Sequence, residues 1–259
     1  MAKRSSKILA AAVAEIGGAP RAGQQLMADA VADTFEGGPH LLVQAGTGTG
    51  KSLGYLAPAL EHLTENANSR VVVATATLAL QAQLASADIP AAVAAAKAVT
   101  GRTVSHAILK GRSNYACLLR ARGADFGDPA QDSLLSGADV ADSLRAAGSD
   151  STSVLGAEVV ALREWVEQEA MDGGLADRDG APTHTAAGWA QVSVPVRECV
   201  GAASCRYGAD CFVEKSREVA RASQLIVTNH ALLAIDAMHG GTALPEHDAL
   251  VIDLSLIHI

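Results

Sequence analysis

The stretch "AGTGTGKS", residues 45–52, sets three glycines and three hydroxyl side chains beside a lysine. Successive backbone N–H groups at Gly46, Gly48 and Gly50 can wrap a phosphate, because glycine adopts dihedrals that other residues avoid. Thr47 and Thr49 complete the loop. Lys51 is placed to reach the β- and γ-phosphates of ATP, and the Ser52 hydroxyl to bind Mg²⁺. This is the P-loop pattern with one departure, since Ala45 stands where glycine is usual. The bland alternative is a Gly/Thr turn with no ligand. An apolar run before the loop and a helical pattern after it favour the phosphate cradle. Such a loop also needs a carboxylate at the end of a neighbouring strand to hold Mg²⁺. "LVID" (250–253) supplies one at Asp253, although a strand-end Asp otherwise serves a turn or cap.

The second group is the cysteines. Cys199, Cys205 and Cys211 follow a C-x5-C-x5-C spacing, and Cys117 stands far upstream, with 81 residues between it and Cys199. Four thiolates can close one tetrahedral zinc site or hold one [4Fe–4S] cluster. Zinc knuckles usually have two to four residues between cysteines, so the wider spacing suits the larger cluster better. Buried free thiols and disulfides are the plain alternatives.

These residues need elements to position them. Residues 8–16 and 24–35 have helical spacing, with the turn "GGAPRAGQQ" between them. "HLLVQ" (40–44) reads as a short buried strand leading into the phosphate loop. Leu53, Leu56, Leu60 and Leu63 mark a helix face, and Pro58 is expected to kink or shorten that helix. "RVVVATAT" (70–77) reads as a second buried strand and "LALQAQLASADI" as a helix. The order strand, loop, helix, strand, helix signals a parallel α/β sheet. Between about 111 and 222 the β/α rhythm stops. That region holds all four cysteines, Trp165 and Trp189, with one firm helix expected at 154–171. The rhythm returns with "SQLIVTNHALL" (223–233) and "DALVID" (248–253), so the middle reads as an insertion in the α/β domain.

Composition narrows the function. The chain has 259 residues and a net charge of −8, which is not the basic footprint of a general nucleic-acid binder. Apolar residues make up 49% but aromatics only 3%, so the core must be built from Ala, Val and Leu. No apolar run is expected to reach the length of a membrane span. The N-terminus starts basic and turns apolar, but Glu15 and the amphipathic spacing of "ILAAAVAEI" read as a helix and not a secretion signal. A cytoplasmic location is expected, where cysteines serve as thiols or metal ligands.

Taken together the motifs resemble the iron–sulfur superfamily 2 helicases of the DinG and XPD type, DinG-like most closely. "RAGQ" (21–24) resembles the adenine-contacting segment upstream of the P-loop. "QAGTGTGKS" resembles the first helicase motif, and "TATLALQAQL" (75–84) the next, which touches the DNA backbone. "LKGRSNYAC" (109–117) is similar to the segment that delivers the first cluster cysteine. "ECVGAASCRYGADCFVEKSREVARASQLIVTNHALL" (198–233) is similar to the run carrying the other three. The resemblance spans residues 17–253 and is weakest across 124–190.

The resemblance implies a RecA-like P-loop NTPase sheet, the first helicase motor domain, at 21–110 and 223–253. A small, mostly helical iron–sulfur domain interrupts it at 111–222, and a helix precedes it at 1–20. It implies that Arg21 and Gln24 read or stack on adenine. It places Thr75, Thr77 and Gln81 on DNA phosphates. It puts Lys110 and Arg112 on phosphate beside the cluster, with Tyr115 stacking on a base. It makes Cys117, Cys199, Cys205 and Cys211 the ligands of one [4Fe–4S] cluster. The parent enzyme would be a monomeric ATP-dependent DNA helicase in DNA repair or replication, moving 5′→3′ on single-stranded or forked DNA. In this family "LVID" continues as Glu-Ala-His, whereas here Leu254, Ser255 and Leu256 follow. "LSLIHI" can be encoded by CTG TCT CTT ATA CAC ATC, which resembles the mosaic-end adapter of transposase-based sequencing libraries. Residues 254–259 are therefore expected to be an adapter read as protein, and the chain an N-terminal fragment without turnover of its own.

Overall fold

The computed structural model describes residues 3–46, 48–123 and 150–253. Residues 1–2, Thr47, the segment 124–149 and residues 254–259, on which the adapter expectation falls, lie outside the described residues. The chain divides into two compact units, Met1–Leu109 with Glu218–Ile259, and Lys110–Arg217.

The first unit is built on a parallel sheet of four strands: β1 (Val71–Thr75), β2 (His106–Ile108), β3 (Leu225–Asn229) and β4 (Ala249–Asp253). Their order is β2-β3-β1-β4, with every pairing parallel. β1 is buried along its whole length, as its unbroken Val/Ala run requires of a strand covered on both faces. The register aligns Asn229, Thr75 and Asp253 across the carboxyl ends of three strands. In open α/β sheets that edge is where ligands bind.

One face of the sheet is covered by α1 (Arg4–Glu15), α2 (Ala22–Phe35) and α3 (Lys51–Glu65). A long helical segment joins them there: α4 (Leu78–Gln83), a π-helical turn (Leu84–Asp88) and α5 (Ile89–Thr100). Ile8, Leu56, Leu60, Val71, Val73, Ile89 and Val227 form the core of that face. Val72, Leu109, Ile226, Leu232 and Leu244 form a smaller core on the other face, under α10 (His230–Met238). Pro58 does not end α3, which runs on through it to Glu65. By length and composition alone, Leu78–Thr100 is apolar enough to cross a membrane, which corrects the expectation that no stretch reaches that length. Here its Leu84, Ile89, Ala92 and Ala96 lie in the core.

The expected strand 40–44 is not one. "HLLVQ" runs as irregular chain, with Leu41 43%, Leu42 90% and Val43 39% exposed. An apolar run becomes a strand only when a neighbour completes its hydrogen-bond ladder. β4 is the outermost strand on that side among the described residues, and its Leu250 and Ile252 are exposed.

The second unit has little regular structure. It contains α6 (Leu118–Ala121), α7 (Asp150–Asp172), α8 (Ala186–Val192) and the start of α9 (Phe212–Arg221). Its core is a small cluster around Tyr115, Leu162, Val166, Trp189, Val192 and Phe212. Trp165 packs against it, its ring centroid 6.4 Å from that of Trp189. Both tryptophans thus serve packing. The Trp189 indole N–H donates to the Ser113 carbonyl at 2.7 Å, which satisfies its one donor.

Candidate nucleotide site and cysteine centre

The phosphate loop enters α3 at its N-terminus. Gly48 and Gly50 take left-handed backbone angles of +75° and +78°. A Cβ at Gly50 would also push aside the end of the Gln24 side chain, whose amide would have to move. That amide donates to the Gly50 carbonyl at 2.8 Å, and Arg21 Nη1 donates to the Gly48 carbonyl. Gln24 is buried and Arg21 exposed, so the first braces the loop from beneath while the second reaches over it. Thr49 Oγ1 donates to the Gly46 carbonyl at 2.9 Å. The Lys51 ammonium lies 3.2 Å from the Gly46 carbonyl and 3.5 Å from that of Ala45. Its charge therefore sits over the concave side of the loop, where a phosphate would exchange these carbonyls for its own oxygens.

Asp253, the last residue of β4, is buried and accepts a hydrogen bond from the Tyr55 hydroxyl at 3.2 Å. Tyr55 sits one turn into α3, so this bond brings the strand-end carboxylate to the helix that carries Lys51 and Ser52. Burial, then the charge of Asp253, pushes the Tyr55 hydroxyl far above its ordinary range and keeps it a donor. Ser52 is near enough to both Tyr55 and Asp88 to offset part of the rise in each group's pKa. Asp88 is buried, and its carboxyl is pushed above the usual carboxylate range chiefly by that burial. Neither Tyr55 nor Asp88 was expected from sequence. Asp88 was legible, because it occupies the apolar stripe between Leu84 and Ala92 at four-residue spacing.

The residues expected on DNA are placed differently. Thr75 and Gln81 are fully buried. Thr75 Oγ1 donates to the Thr77 carbonyl at 3.2 Å, and Gln81 Nε2 donates to the carbonyls of Leu109 and Val227. They tie strand ends together and offer no group to a phosphate. Thr77 is exposed and caps α4, its hydroxyl accepting the Leu80 N–H at 3.1 Å. Lys110 is corrected from phosphate ligand to buried ion-pair partner. Its side chain is 4% exposed, with Nζ 2.7 Å from Asp177 Oδ1 and 2.6 Å from Asp179 Oδ2. Burial by itself would lower the Lys110 pKa, but the two carboxylates outweigh it and raise it. Tyr115 is 1% exposed and its hydroxyl accepts the Lys110 N–H, so its ring has no face open for a base. Asn229 caps α10 by accepting the Leu232 N–H at 2.8 Å.

All four cysteines line one cavity in the second unit, with Leu118, Val194, Val200 and Phe212 among its apolar walls. No three His, Cys, Asp or Glu side chains among the described residues converge on a single metal-ion position. Cys199 Sγ accepts from Arg112 Nη1 at 3.2 Å and from the Gly201 N–H at 3.4 Å. Arg112 is thereby held at the cavity wall, 12% exposed, with Glu214 as its second partner. Burial pushes the Cys117 thiol up, offset in part by the backbone N–H groups of Arg120 and Leu119. Cys199 and Cys205 are close enough to add to that rise, so the thiols share one electrostatic neighbourhood. Gly208 is needed between Cys205 and Cys211, since a Cβ there would strike the Ala202 carbonyl.

A parallel sheet carrying a glycine loop at one helix start and a carboxylate at a strand end has the parts of a P-loop nucleotide-binding domain. The DEAD/DEAH box helicase family matches residues 22–113. Over nearly its whole length the chain is similar to curated helicases. It is 42% identical to the ATP-dependent helicase DinG of Mycobacterium tuberculosis (strain ATCC 25618 / H37Rv), over 95% of this chain and 36% of that protein. It is 36% identical to the ATP-dependent DNA helicase YoaA of Escherichia coli (strain K12), over 90% of this chain and 32% of that one. It is 30% identical to the ATP-dependent DNA helicase DinG of Salmonella choleraesuis (strain SC-B67), over 90% and 31% respectively. The chain thus spans about a third of the length of the curated relatives it matches.

Proposed function

We propose that this chain is the ATP-binding motor segment of a DinG-like, ATP-dependent DNA helicase. What supports the reading is the Tyr55–Asp253 hydrogen bond, which ties the helix that begins with Lys51 and Ser52 to the end of β4. Lys51 holds the β- and γ-phosphates, Ser52 and Asp253 hold Mg²⁺, and the loop from Ala45 to Gly50 cradles the nucleotide. Arg21 and Gln24 support that loop from the segment expected to meet adenine. ATP-dependent DNA helicase activity of the whole protein is carried over from the relatives as part of this proposal. The motif resemblance adds to it 5′→3′ movement on single-stranded or forked DNA in repair or replication, a monomeric state and a cytoplasmic location. Of the residues expected on DNA, exposed Thr77 is the one that supports a backbone contact.

The four cysteines suit a [4Fe–4S] cluster in their donor set: four thiols around one apolar cavity, with N–H donors already aimed at Cys199 Sγ. Thiols spread around a cavity fit a cluster better than a single zinc ion. The cluster would brace the second unit, whose own apolar core is small. The test of the nucleotide reading is equilibrium binding of a fluorescent ATP analogue with Mg²⁺, comparing the wild-type chain with Lys51→Ala.

A further inference from the structure

The cations expected on DNA in the second unit are consumed within it, Lys110 by Asp177 and Asp179, and Arg112 by Glu214 and Cys199. Arg206 is placed differently. Its neighbour Tyr207 lies between Cys205 and Cys211, half-buried, and packs against the core around Trp189 and Phe212. Two guanidinium groups lie over the Tyr207 ring, with Arg122 Cζ 4.8 Å and Arg206 Cζ 5.0 Å from its centre. They are not equivalent. Arg122 is held from two nitrogens by Glu167 at 2.7 Å, which offsets its charge. Arg206 is exposed, and its Nη2 donates to the Gly123 carbonyl at 3.1 Å. No carboxylate pairs with Arg206 among the described residues, and Asp210 in the same loop is engaged by Lys215 at 3.6 Å.

Two arginines that share a ring and one carboxylate leave a local excess of positive charge. The ring and the Gly123 carbonyl fix Arg206, so it has less side-chain freedom to lose on meeting a ligand. Its remaining N–H donors lie in a planar fork, which matches the oxygens of a phosphate. We propose that Arg206, set by Tyr207 beside Arg122, is a phosphate contact of the second unit, and that the phosphate belongs to the backbone of a single DNA strand. The proposal rests on the DNA helicase reading above, which selects that strand among phosphate-bearing ligands. A contact of this kind holds the strand and is indifferent to its base sequence.

The experiment titrates a fluorescent single-stranded oligonucleotide with the full chain and follows anisotropy at a series of chloride concentrations. Arg206→Ala should weaken binding about fivefold at about 0.1 M salt. It should also lower the slope of log affinity against log salt by about 0.7, the share of one phosphate contact on a single strand. Arg206→Lys keeps the charge and should keep the slope. If Arg206→Ala does not melt cooperatively, Arg206→Gln, which keeps a donor for the Gly123 carbonyl and drops the charge, carries the same comparison. Affinity and slope equal to wild type in the uncharged variant overturn the proposal and leave the helicase reading standing. Inorganic phosphate that displaces the strand from wild type at matched ionic strength marks a general anion site and overturns the DNA assignment. A wild-type chain that does not bind the oligonucleotide overturns the helicase reading for this chain, and Arg206 with it.

Discussion

The Tyr55 hydroxyl donates to Asp253 Oδ2 across 198 positions of sequence, at 3.2 Å. One end of this bond lies on the helix that follows the phosphate loop, the other on the last residue of an edge strand. Tyr55→Phe removes the donor and keeps the ring packing. It should free a buried carboxylate acceptor at a cost of about 1–2 kcal/mol. A thermal melt of the purified chain checks this, and an unchanged midpoint would show the bond carries no stability.

Gly50 combines a positive φ with a neighbour in the way of any side chain. Gly50→Ala should cost about 1–2 kcal/mol in backbone strain alone, and displace the Gln24 amide besides. Nucleotide binding should fall more than stability does, because the same displacement distorts the loop. Comparing analogue affinity with melting midpoint separates the two effects.

Lys110 joins Asp177 and Asp179 inside the second unit. Removing one partner of a buried pair is strongly destabilising, but Asp179 is half exposed and can rehydrate. Lys110→Ala should therefore cost about 2–3 kcal/mol, below the full buried-pair figure. Limited proteolysis should show faster cleavage within 110–217 while the sheet unit stays resistant. Equal cleavage rates would refute the latch.

Arg122 and Glu167 form a two-armed pair at 2.7 Å between the end of α6 and α7. The hydrogen bond from Arg122 holds the Glu167 carboxyl below its ordinary value. A carboxyl depressed in the folded state contributes stability above its unfolded pKa near 4.5 and loses it as pH falls through the folded value. Glu167 is 41% exposed, so solvent screening keeps the contribution small. Glu167→Gln should lower the melting midpoint slightly at pH 7 and by less at pH 3. A larger loss at pH 3 than at pH 7 would reverse the sign argued here.

Replacing any of Cys117, Cys199, Cys205 or Cys211 with Ser should lower bound iron and loosen the second unit more than the first. The cross-link closes a long loop over a small core, which chain entropy would otherwise keep open. Normal iron content after one replacement would remove that cysteine from the set.

The sequence was most legible where local chemistry and periodicity agreed. The run "RVVVATAT" reads as a buried strand because nothing but apolar and β-branched residues fills it, and β1 is that strand. The helix expected at 154–171 extends over Asp150–Asp172. "HLLVQ" failed because being a strand depends on a neighbour, which the segment's own residues cannot supply. β2 was missed because three residues carry too short a pattern. α9 was legible through Phe212, Val213, Ser216 and Ala220, all buried at helical spacing, but its start lies beside the cysteine run and reads as part of it. The expected DNA contacts at Thr75, Gln81, Lys110 and Tyr115 failed for one reason. Polar groups near strand ends are first consumed in satisfying buried backbone and charge.

The central claim is that Lys51, Ser52 and Asp253 form one Mg²⁺-nucleotide site. The most direct measurement is Mg²⁺-dependent binding of an ATP analogue by the wild-type chain, Lys51→Ala and Asp253→Asn, each checked for a cooperative melt. The account predicts that wild type binds, that Lys51→Ala loses binding with or without metal, and that Asp253→Asn loses only the part that Mg²⁺ adds. Binding by Lys51→Ala equal to wild type, or a Mg²⁺ effect untouched by Asp253→Asn, would contradict it.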